Sequence, residues 1–136
     1  MKGNRFMLCA VLVCISALCV ACAASGPSDE IVLAQVQERQ HVFTDDYDAR
    51  IFEHFKITKL EIADRQVEKN KARVIVRTHF QIIKELQKYD GFRSAAEQRF
   101  GKSPILSETR VLPVGLEGTA EQEFHFSKFE SGWRIQ

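Results

Sequence analysis

The sequence predicts an α+β domain in which N-terminal helices pack on one face of a curved, mainly antiparallel sheet. Three observations carry this expectation. Helical spacing comes first in the chain, with Val32, Leu33 and Val36 near one face of residues 29–42, then Ile51, Phe52 and Phe55. The period then changes to two. In residues 72–82, Ala72, Val74, Val76, Thr78, Phe80 and Ile82 alternate with Arg73, Ile75, Arg77, His79 and Gln81. The polar reverse face of that strand indicates a sheet covered on one side only.

The elements follow in order. Ser28 can cap the first helix, and Asp29 and Glu30 sit at the positive end of its dipole. Thr44 reads as a second cap, with Asp45, Asp46 and Asp48 in the turn behind it, which gives two short helices with a break near 43–45. From Lys56 onward Leu60 and Ile62 alternate with charged neighbours. The stretch 67–71 supplies a turn in which Asn70 can take a left-handed conformation. Asp90 or Gly91 starts a short helix with Phe92, Ala96 and Phe100, closed by Gly101. Two further strands are expected: 105–114, at an edge because of Pro113, and 119–129, with Phe124 and Phe126 on one face and Glu123 and His125 on the other. A turn at 130–132 leads into a short closing strand through Trp133 and Ile135.

The apolar residues are unevenly spread. Eighteen of the nineteen residues at 6–24 are apolar, Ser16 being the exception. The 112 residues from 25 to 136 hold 42 apolar side chains, about 37%, an ordinary fraction for a soluble domain. Leu, Ile, Val and Phe make up 32 of those 112, enough for a packed core and too many for a disordered chain. Residues 29–136 are therefore read as one small domain. Of ten phenylalanines, nine lie in this part; most must be core, and Phe129 and Phe92 are expected to be the exposed ones.

The first segment reads as an export signal: Lys2 and Arg5 precede the apolar run, and small residues follow it. All four cysteines, at 9, 14, 19 and 22, lie in or at the end of this segment. The stretch Leu18-Cys19-Val20-Ala21-Cys22 resembles the bacterial lipobox, in which apolar and small residues precede the cysteine that becomes lipidated. Val20 and Ala21 match the two positions before Cys22; Cys19 stands where leucine is usual. This resemblance implies a signal peptide at 1–21, lipidation of Cys22, and a tether at 22–28. An ordinary signal-peptidase cut after Ala23 and an uncleaved anchor are the two alternatives. After either cut the domain has no free thiol and no disulfide. Location in the cell membrane or the outer membrane follows, lipid-anchored, with the domain facing the periplasm or the exterior. Ala23 after Cys22 resembles the outer-membrane default.

Without Lys2 and Arg5 the chain carries 17 basic and 18 acidic residues, so no basic surplus points to nucleic acid. Nucleophile elbow, phosphate-binding glycine loop, HExxH and CxxC are absent from residues 25–136. His41, Asp45, Asp46 and Asp48 form the densest set of potential ligands, but EF-hand spacing and its glycine are missing. No metal or other cofactor is expected.

The strand start Lys56-Ile57-Thr58-Lys59-Leu60, the strand Ala72-Arg73-Val74-Ile75-Val76 and the terminal Gly132-Trp133-Arg134-Ile135 together resemble the nuclear transport factor two-like superfamily. A cystatin-like domain, one helix gripped by a curved sheet, gives nearly the same string. The resemblance implies a conical pocket, which enzymatic members furnish with an Asp, His or Tyr and other members use only to bind or dimerise. His79 and His125 could meet across a sheet face with Glu123, and Asp46, Tyr47 and Tyr89 are the residue types an isomerase- or dehydratase-like pocket would need. The expected function is a non-enzymatic binding or assembly domain on a lipid anchor, contacting a protein partner or small apolar ligand. A pocket enzyme and a subunit of a larger envelope or secretion complex are the alternatives.

Overall fold

A computed structural model describes residues 25–43, 45–88 and 90–136. The leader with Cys22, the Thr44 cap and Tyr89 lie outside the described residues. Among the described residues no helix is long and apolar enough to cross a membrane.

The chain runs α1 (Asp29–Gln40), α2 (Asp46–Ala49), α3 (Ile51–His54), β1 (Phe55–Glu68), β2 (Lys71–Ile82), α4 (Gly91–Phe100), β3 (Glu117–Phe129) and β4 (Gly132–Ile135). The strands form one open antiparallel sheet in the order β1-β2-β3-β4. The fold class is thus the one expected: helices on one face of a curved antiparallel sheet.

α1 begins where the sequence indicates, with Ser28 Oγ accepting from the Ile31 amide at 3.3 Å. Asp45 caps α2 by accepting from the Asp48 amide at 2.7 Å, one residue later than the cap expected from the sequence. α4 starts at Asp90, whose Oδ1 accepts from the Phe92 amide.

β1 curves through two bulges, at Ile57/Lys59 and Ile62/Asp64. Each inserts one residue, so Ile57, Leu60, Ile62, Arg65 and Val67 all share the inner face despite their uneven spacing. In the β1–β2 turn the left-handed residue is Lys69, at φ 51°, and not Asn70. Asn70 instead turns its carbonyl to the Lys128 amide at 2.8 Å, which ties the tip of the first hairpin to the second.

Two apolar clusters fill the inner face. Val32 and Val36 of α1 pack on Val74, Val76, Phe124 and Phe126. Ile51 of α3 and Ala96 and Phe100 of α4 pack on Phe55, Phe80 and Ile82. Between them Gln40 Nε2 donates to Thr78 Oγ1 at 3.0 Å, satisfying the one inward polar residue of β2.

The expected strand at 105–114 is absent. Leu112 makes a single bridge to Leu86, and the rest is turns. Pro113 lacks an amide proton. The carbonyls of Glu108 and Arg110 are directed to the buried Arg93 guanidinium, which also takes the Leu86 carbonyl at 3.0 Å. Arg93 thereby clamps both flanking loops onto α4.

Candidate functional site

Among the described residues no helix packs over the outer face of β1, β2 and β3, and its side chains form a cross-strand lattice of charges. Strand register dictates the rows. Glu61, Arg77 and Glu121 stand directly opposite one another, and Arg73 stands opposite Gln66 and His125. Arg77 reaches both neighbours, with Nη1 3.2 Å from Glu61 Oε1 and Nη2 2.6 Å from Glu121 Oε1. Arg73 bridges diagonally to Glu123 at 2.8 Å and to Asp64 at 3.5 Å.

Glu61 is the hub. Lys59 Nζ approaches its Oε2 at 2.6 Å, and His79 Nε2 and Arg77 Nη1 share its Oε1. The Lys59 hydrogen bond, then that of His79, then Arg77, hold the Glu61 carboxyl down at about 2, well below its ordinary 4.5. Arg73 likewise lowers Glu123, with His125 adding to the effect. The Arg77 guanidinium is raised, chiefly by Glu121 and then by Glu61.

Beside this lattice lies an open cleft of about 1090 Å³. Arg77, His79 and Glu121 line one wall, and the segment after α4 forms the other with Lys102, Ser103 and Pro104. That segment is fixed by a two-way backbone bridge between Lys102 and Glu121, both bonds 2.9 Å. Gly101 makes the approach possible. At φ 104° a Cβ there would lie 2.1 Å from the Glu121 carbonyl oxygen. Ser103 is buried in the cleft wall, and its Oγ has no partner among the described residues.

The four residues singled out from the sequence do not come together. His79 and His125 do share the outer face, but register sets His79 opposite Thr119 and His125 opposite Arg73. Six residues of β2 separate those rows, roughly 20 Å of strand. Each histidine is engaged separately, His79 with Glu61 and His125 with Glu123, both at 2.9 Å. Asp46 and Tyr47 sit in the helix layer on the opposite side of the sheet. Asp46 is exposed, and Tyr47 stacks on Phe92 at 4.8 Å. His41 stacks on Phe52 at 4.8 Å, Asp45 serves as the α2 cap, and Asp48 pairs with Arg99. Among the described residues no three His, Cys, Asp or Glu side chains converge as metal ligands would. Phe129 is exposed as expected, whereas Phe92 is half-buried between Tyr47 and His54.

A second polar region joins the helices. Arg99 of α4 donates to the carbonyls of Gln40 and Val42 and to Asp48, and lies over the Phe43 ring at 4.7 Å. Burial lowers this guanidinium's affinity for its proton, against the opposing pull of Asp45. Next to it a pocket of about 270 Å³ is lined by Gln40, Arg99 and Gln122. Gln40 Oε1, Arg99 Nε and Gln122 Oε1 are each buried without a partner among the described residues. Such a set of donors and acceptors suits ordered water.

No protein-family model, curated protein or solved structure matches the chain.

Proposed function

We propose that the protein is an exported lipoprotein of the cell envelope, held at the membrane through Cys22, whose α+β domain is a non-enzymatic docking module. The observation that carries the docking part is the charge lattice on the uncovered sheet face. Rows of alternating sign, held in register by three strands, present a fixed pattern to a partner protein. Exposed ion pairs add little to folding, so their organisation fits recognition better than stability. The face is charged and the adjoining cleft is open, which favours a protein partner of complementary pattern over a small apolar ligand.

The leader supports the anchor: Lys2 and Arg5, a 19-residue apolar run and the lipobox-like residues before Cys22. The helix-first order and open curved sheet support kinship with nuclear transport factor two-like or cystatin-like domains. The pocket-enzyme alternative needs His79, His125, Asp46 or Tyr47 in one cavity, and the first two lie rows apart while the last two lie across the sheet.

A photo-crosslinking residue in place of Ile75, at the centre of the lattice, tests the docking surface in cells that make the full chain. One discrete adduct, lost on Arg77→Glu, is expected. Adducts from Val114 at the far end of the domain but none from position 75 would contradict the assignment.

A further inference from the structure

The way the chain enters the fold marks one end of the domain. The segment ahead of α1 is not free. Pro27 is buried, and Gly26 packs so closely on the first hairpin that a Cβ there would lie 2.4 Å from Val67 Cγ2. Asp29 pairs with Arg65 of β1 at the same end. Val67 lies two residues from the hairpin tip at Lys69 and Asn70, and the Asn70 carbonyl holds the second hairpin alongside through Lys128.

Only Ala23, Ala24 and Ser25 separate Cys22 from the packed Gly26. Four fully extended residues span at most about 14 Å. Acyl chains on Cys22 would therefore keep Gly26, and with it the end of the domain that carries the two hairpin tips, within about that distance of the bilayer. The tips are suited to that position. Phe129 is 53% exposed on the second hairpin. The same tips carry the exposed Lys69, Lys71 and Lys128 and two exposed glutamates, Glu68 and Glu130. An exposed aromatic ring on hairpin tips that also carry long-stemmed lysines fits the headgroup layer, where the ring enters the acyl boundary and the ammonium groups reach phosphate.

We infer that the paired tips of the β1–β2 and β3–β4 hairpins, with Phe129 at their centre, form a lipid-contacting surface that seats the domain upright on the membrane. The opposite end, where Val114 precedes the turn joined to Ile82, then points away from the bilayer, and the charge lattice stands between the two. This inference rests on the lipid-anchor reading.

The test uses the full lipidated chain, whose only cysteine after cleavage is the acylated Cys22. An environment-sensitive thiol dye is placed at Phe129→Cys or Val114→Cys, and each protein is reconstituted into vesicles of phosphatidylethanolamine and phosphatidylglycerol. The dye at 129 should shift to the blue and lose several-fold in iodide quenching, while the dye at 114 behaves as in water. Lipidated protein with both dyes equally water-exposed would overturn the seating and leave the anchor intact. Protein whose mass shows no acyl chain would overturn both. Phe129→Trp, followed by quenching with brominated lipid, gives a second readout with a conservative side chain.

Discussion

Glu61 and Arg77 face each other directly across β1 and β2, 3.2 Å apart, and the same Glu61 oxygen also takes His79. One carboxylate on an open sheet face thus organises two cations and an imidazole. Its folded pKa of about 2 lies below the 4.5 of the unfolded chain, so its contribution to stability, kept small by solvent screening, is complete above about pH 4.5 and is lost as pH falls towards 2. Urea unfolding across that window should show the wild-type midpoint falling with acid. Glu61→Gln should flatten the fall while leaving helix and strand content unchanged; an unaltered slope would mean that other carboxylates carry the acid sensitivity.

Arg93 is buried, has no carboxylate partner among the described residues, and donates to three backbone carbonyls, those of 86, 108 and 110. Hydrogen bonds to a charged donor are the stronger kind, and removing this one takes the donor from the Glu108 and Arg110 carbonyls and leaves the buried Leu86 carbonyl with the Leu112 amide alone. Arg93→Ala should cost roughly 3 kcal/mol in denaturant unfolding. Arg93→Lys should recover only part of it, because an ammonium cannot reproduce the planar fork.

Gly101 and Gly115 both have positive φ, yet they should respond differently to alanine. At Gly101 the methyl group meets the Glu121 carbonyl, and the φ 104°, ψ −174° backbone is one that essentially only glycine adopts. The expected loss is about 3 kcal/mol or more, with the wall of the cleft displaced. At Gly115 nothing lies within 4 Å, and only the conformational cost of about 1–2 kcal/mol remains. Equal losses in thermal unfolding would show that backbone strain, not the approach to β3, governs Gly101.

Much of the fold can be read from local pattern. The two faces of β2, the Ser28 cap, Gly101 at the end of α4 and the exposed Phe129 each depend on a few neighbouring residues. The site depends on register, which local pattern does not contain. Nothing in the sequence says that Arg77 falls opposite both Glu61 and Glu121, or that His79 and His125 are rows apart. The bulges of β1 break the two-residue period, so Leu60 and Ile62 are legible while Ile57 and Arg65 are not on the same count. No local pattern marks Arg93 and Arg99 for burial, because the carbonyls that justify it come from segments distant in sequence.

The proposed lipid on Cys22 is what would hold the docking domain at the membrane. Intact mass measurement of the mature N-terminus, with Cys22→Ser as control, tests it most directly. A chain beginning at Cys22 and carrying diacylglycerol is expected, with no such species and no membrane retention in the Cys22→Ser protein. An unmodified chain beginning at Ala24 would contradict it.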